Sequence, residues 1–178
     1  MLQTRRPHSS RLISRRRALA FTLFELSLCL LIIGTIAAAL VPIIGNNIRS
    51  SRLRTAANVL AADIDFCAST CIGKPSSPAA VSFGVNKYTL LDVNSGNTLT
   101  HPMDGGTYIN DFETGRNAQL TDVKIKSVTS AGNAVTALTF DSYGKPVLTA
   151  DLLITLVYNA QSLTVTVKAA TGDVTISG

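Results

Sequence analysis

The chain has 178 residues, with 16 Lys and Arg against 11 Asp and Glu and a formal charge of +5. Six arginines (Arg5, Arg6, Arg11, Arg15, Arg16 and Arg17) stand in the first twenty positions without an acid, so the remainder carries ten basic against eleven acidic residues. The basic character therefore belongs to a leader and excludes a broad nucleic-acid surface, and the remaining length suffices for one modest domain behind an anchor.

Directly after the leader comes Ala20-Phe21-Thr22-Leu23-Phe24-Glu25, then nineteen uncharged residues from Leu26 to Ile44, enough for a helix to cross a bilayer with help from its flanks. Pro42 removes a backbone donor near the outer end, so a bend or loosened turn is expected there. A secretory signal peptide is the rival reading, because Ala37, Ala38 and Ala39 offer small residues after an apolar core. That reading leaves Glu25 unexplained, and the apolar run exceeds the usual length of such a core.

Hydrocarbon penalises a carboxylate at helix centre by roughly 3 kcal/mol on insertion scales, so Glu25 calls for a partner. A cut between Ala20 and Phe21 would place a new α-amino group one helical turn away, able to neutralise Glu25 within the chain or in a neighbouring subunit. The alternative is an ordinary anchor with Glu25 at headgroup depth. From the residues alone the two readings stand level.

Beyond Gly45, Leu53, Ala57, Leu60, Ile64, Cys67 and Cys71 recur at alternating spacings of four and three, a single stripe on a helix. Arg52, Asn58, Asp65 and Ser69 lie off the stripe, and Gly73 and Pro75 give the stop signals. One helix of about fifty residues is expected, its stripe covered by a sheet from the rest of the chain.

After Pro78 the composition shifts to Thr, Val, Asn and Gly. Ala80 to Val85 and Tyr88 to Val93 read as a hairpin across Asn86 and Lys87, and Asn94 to Asn117 as a long loop. Val123 to Val128, Val135 to Phe140, Leu152 to Tyr158 and Leu163 to Lys168 alternate as strands. Turns are marked at Gly132-Asn133, Asn159-Ala160 and Gly172-Asp173. Short connections make the pairing antiparallel, with Leu163, Val165 and Val167 facing the helix. The predicted fold class is α+β, with a long N-terminal helix on an antiparallel sheet. Its parts are a leader (1–20), a transmembrane and assembly helix (21–45), an amphipathic helix (46–73) and a β domain (74–178).

With these residues placed, the chain resembles the type IV pilin and pseudopilin superfamily. Phe21 to Pro42 (FTLFELSLCLLIIGTIAAALVP) matches its N-terminal pattern, with Glu at the fifth position after the cut. Residues 50–64 (SSRLRTAANVLAADI) and 138–146 (LTFDSYGKP), the latter with the terminal TGDVTI, are similar to the GspH/FimT class of minor pseudopilins. The resemblance implies cleavage by a prepilin peptidase before Phe21, N-methylation of Phe21, and packing of N-terminal helices into a filament in which Glu25 neutralises the amine of an adjoining subunit. The implied location is the bacterial inner membrane, single-pass, with the leader cytoplasmic and the β domain periplasmic. Partners would be other pilin or pseudopilin subunits, the peptidase and membrane lipid. Ala20 departs from the Gly usual before the cut, which points to slower cleavage. The last ten residues lack the basic side chains of DNA-uptake members, which favours secretion or filament initiation.

The functional expectation is a minor pseudopilin that initiates or caps a type II secretion pseudopilus or a type IV pilus. The alternatives are a DNA-binding minor pilin and a membrane-anchored binding domain that never polymerises. No enzyme, cofactor or small-molecule substrate is expected, because beyond the leader only His101 remains for acid–base or nucleophilic work. Cys67 and Cys71 are candidates for a disulfide if the last turn loosens, or for packing beneath the sheet; Cys29 reads as packing. Asp104, Asp111 and Glu113 form a weak calcium candidate whose plainer reading is a solvated, turn-rich loop. Arg49, Arg52 and Arg54 could touch lipid headgroups or DNA, and more simply solvate the helix.

Overall fold

The computed structural model describes residues 22–178, apart from the side chains of 39–46. Ala20, Phe21 and the leader lie outside the described residues. The chain divides into two units, Met1–Pro42 and Ile43–Gly178, and one helix, α1 (Leu23–Gly73), has residues in both.

In the first unit the helix begins at a side-chain cap. The Glu25 N–H donates to Thr22 Oγ1 at 3.2 Å, and Leu26 N–H to the Thr22 carbonyl at 3.1 Å. Thr22 and Glu25 are thus the residue types of a capping box, and the acid sits at the positive end of the helix dipole. Apolar side chains are exposed around the helix: Leu23, Phe24, Leu26, Leu28, Leu30, Leu31, Ile32, Ile33 and Ile36. Ser27 and Thr35 return their hydroxyls to the carbonyls of Phe24 and Ile32, so neither hydroxyl on that surface depends on water for a partner. Among the described residues no helix is long and apolar enough to cross a membrane. The uncharged run that suggested a span extends into 39–46.

In the second unit the stripe is buried as its spacing requires. Leu53, Ala57, Leu60, Ile64, Cys67 and Cys71, joined by Ala56, are all at most 2% exposed. Two sheets form where one was expected. The first has the order β3-β2-β1-β6, from β1 (Ala79–Phe83), β2 (Lys87–Asp92), β3 (Ile109–Asp111) and β6 (Ala137–Thr139). The second has the order β5-β4-β7-β8-β9, from β4 (Lys124–Ser130), β5 (Asn133–Ala134), β7 (Leu152–Tyr158), β8 (Gln161–Val167) and β9 (Val174–Ser177). Every pairing is antiparallel.

Val135 to Phe140 is not one strand. Val135 N–H donates to the Val128 carbonyl in the second sheet, and Phe83 N–H donates to the Thr136 carbonyl in the first, so the chain changes sheets between adjacent residues. The apolar residues Val135, Ala137, Leu138 and Phe140 follow closely with no Gly or Pro between them, which is why the sequence read as a single element, although the inward phase slips from Val135 to Leu138 and Phe140. The predicted loop from Asn94 to Asn117 contains β3, bridges at Leu91–Thr98 and Thr100–Thr107, and the start of a 3₁₀ segment (Gly115–Leu120). The β4–β5 turn lies one residue earlier than predicted, at Ala131 and Gly132, both with positive φ as a tight two-residue hairpin demands. On β8, Leu163, Val165 and Val167 are buried, the face predicted for them.

Candidate functional site

Glu25 is the only charged side chain from Thr22 to Ile48, and it is exposed on a helix whose other described side chains up to residue 38 are small, hydroxylic or apolar. Its backbone N–H is satisfied by Thr22, while its carboxylate stands in an apolar surface that water would not normally be left to cover. This arrangement can pack against other apolar helices or lipid, with one anion available to a cation brought by the partner. Phe21, the other predicted assembly residue, and Ala20 lie outside the described residues.

The second unit holds a polar cluster that the sequence reading missed. Asp63 is 8% exposed, on the buried side of α1. Tyr88 donates its hydroxyl to Asp63 Oδ2 at 2.5 Å, Tyr108 donates to Oδ1 at 2.9 Å, and Asn110 Nδ2 donates to Oδ2. Asn117 Nδ2 in turn donates to Asn110 Oδ1 at 3.0 Å. His101 and Phe66 pack against the Tyr108 ring, with centroids 4.5 and 5.3 Å away. Burial pushes the Asp63 carboxyl above its ordinary value, opposed by the two tyrosine hydroxyls; burial and the Asp63 charge push both tyrosines up. The cluster ties β2, β3 and the segment between them to α1. Its signal was present, since Asp63 stands seven residues after Ala56 and four before Cys67, an acid on the buried stripe.

Cys67 and Cys71 are free thiols and α1 runs helically past both, so the bridge weighed from their spacing is absent. Side chains four apart on an intact helix stand farther apart than a disulfide spans. Burial raises both thiols, and Cys71 Sγ accepts the Ala79 N–H at 3.0 Å, fixing the start of β1 against the helix. Asp104, Asp111 and Glu113 do not converge. Asp104 pairs with Arg116, Asp111 accepts the Glu113 N–H at 2.8 Å, and Glu113 accepts from Asn86 at 2.8 Å. Among the described residues no group of three or more acidic, His or Cys side chains could hold a metal ion. Arg52 donates to the Tyr158 hydroxyl at 3.3 Å with its guanidinium 5.9 Å from that ring, pinning α1 to β7, while Arg54 is exposed.

No family model and no curated protein sequence matches the chain. Among solved structures it is similar to the type IV minor pilin FimU of Pseudomonas aeruginosa, with a TM-score of 0.51 and 15% identity over 72% of this chain and 90% of that one. FimU in a second crystal form aligns at a TM-score of 0.47 with 14% identity, over 71% of this chain and 93% of that one. The likeness at this identity is one of fold: a helix on antiparallel sheets, in which this chain has the architecture of a pilin.

Proposed function

We propose that this chain is a minor pilin-type subunit, made as a precursor, cut between Ala20 and Phe21, N-methylated at Phe21, and built into a filament through its N-terminal helix. The observation that carries the reading is the pairing of a pilin fold with an apolar helix surface bearing one carboxylate, Glu25. In this reading 21–45 spans the bacterial inner membrane before assembly and the β domain lies in the periplasm. Glu25 draws the N-terminal amine of an adjoining subunit, so that each charge is neutralised only in the packed state. The partners are other pilin or pseudopilin subunits, the prepilin peptidase and membrane lipid, and the role is structural, without turnover.

Within that reading we favour initiation or capping of a type II secretion pseudopilus or type IV pilus, in the manner of the GspH/FimT class. A DNA-uptake role is second, because the last ten residues offer no cation to a phosphate. Substituting Glu25→Ala tests the charge pairing. The variant is expected to insert in the membrane at wild-type levels while its recovery in sheared filaments falls by roughly tenfold or more, the loss of one desolvated ion pair. Wild-type recovery would overturn the pairing.

A further inference from the structure

The second sheet ends in β9, and the hydrogen-bond phase of that strand can be read directly. Lys168 N–H donates to the Asp173 carbonyl at 2.9 Å, and the register continues through Thr166 with Thr175 and Thr164 with Ser177. Bonded pairs alternate along an antiparallel ladder, so Thr175 and Ser177 spend their backbone groups on β8 while Val174 and Ile176 turn theirs outward. Edges of this kind are normally blunted by charge, proline or a bulge. Residues 174–178 (VTISG) contain neither charge nor proline, and their pairing with β8 is regular. The edges at β5 and β3, by contrast, are only two and three residues long.

A groove lies beside this edge. Ile176 shares its side of the sheet with Val165, yet Val165 is fully buried and Ile176 is 36% exposed, facing a space that Arg54 and Asn58 of α1 line from the other side. The space of about 350 Å³ is lined by Arg54, Asn58, Leu163, Ile176, Ser177 and Gly178. The surroundings of the two ends of β9 differ in charge. Arg54 lines the groove with Ser177 and Gly178 at the C-terminal end of β9; eleven residues along α1, about 16 Å at helical rise, Asp65 lies near Asp173, which directly precedes β9 and whose charge adds to burial in raising the Asp65 carboxyl. Neither Asp65 nor Asp173 is in an ion pair among the described residues.

We propose that the β9 edge and its groove receive an extended segment of another polypeptide as a sixth strand, with alternating apolar residues, an anionic residue at the Arg54 end and a cationic residue at the Asp65–Asp173 end. Main-chain bonds to Val174 and Ile176 would supply affinity, the groove would take the side chains on its helix-facing side, and the opposed charges would set direction and register.

The test uses the full chain in detergent micelles with the blocked peptides KTVTVE and ETVTVK as probes, followed by amide hydrogen exchange. One peptide is expected to slow exchange at Val174 and Ile176 by roughly tenfold, leaving Thr175 and Ser177, already bonded to β8, unchanged. Arg54→Glu should abolish the protection. So should Ile176→Pro, which removes an outward N–H and none of the β8–β9 bonds, with thermal unfolding as the check that the sheet is intact. Protection by neither peptide, equal protection by both, or full protection in Arg54→Glu would overturn the proposal. Protection that rises with protein concentration in the absence of peptide would also overturn it, assigning the edge to a second copy of the chain.

Discussion

At Asp63 three uncharged donors converge on one buried carboxylate, which is in no ion pair among the described residues. Removing the acceptor leaves those donors buried and unpaired, so Asp63→Ala should lower unfolding free energy by about 2–4 kcal/mol in chemical denaturation. The pH dependence has a defined sign. Because burial raises the carboxyl above 3.8, its ordinary value, the stability it contributes is fullest below that pH and is lost as pH rises through the raised value. The stability gap between the wild type and Asp63→Asn should therefore narrow from about pH 4 upward. Asp92, Asp104, Asp111 and Asp151 run the other way. They are depressed chiefly by the Ser77 hydroxyl, Arg116, the Glu113 N–H and Lys168 respectively, so their contribution is present above 3.8 and is lost as pH falls. A gap that widened with pH would refute the placement of Asp63. Glu25 was legible at this scale, because a lone charge in an apolar run needs no tertiary information. Asp63 was legible only as an acid on the buried stripe, and the cluster around it was not, because its partners Tyr88, Tyr108 and Asn110 lie 25 to 47 positions away.

Elements were legible where one periodicity served one partner. The α1 stripe from Leu53 to Cys71 and the alternation of β7 and β8 each follow from burial on a single face, and each was found where its spacing put it. The switch between Val135 and Thr136 was hidden, because neither Gly nor Pro marks it and the one-residue slip in phase falls within a closely spaced apolar run. β9 was missed because its outer edge and half-open face leave little apolar pattern in four residues. Gly144 is another long-range constraint. Its φ is +77°, and an added Cβ would come within 2.8 Å of Ile72 Cδ1 and 3.0 Å of the Ala68 carbonyl. The Asp141–Gly144 turn thus rests on the last turns of α1 through a position only glycine fills without strain. Gly144→Ala is expected to cost more than about 1 kcal/mol of unfolding free energy. An unchanged denaturation midpoint would mean that this turn does not press on the helix.

For the whole molecule, the fold and the exposed N-terminal helix divide the labour. The β domain buries its own core against residues 53–71, while the apolar surface from Leu23 to Ile36 has no cover of its own. In the proposed function such a surface would be supplied with lipid before assembly and with neighbouring helices after it, and one acid at its start would make the second environment selective for a partner bearing an amine. That amine exists beside Glu25 only if the leader is removed. The most direct measurement is intact-mass and N-terminal peptide analysis of the chain recovered from filaments. The expected result is a first residue Phe21 carrying one added methyl group; a chain in functional filaments that still begins at Met1 would contradict the proposed mechanism.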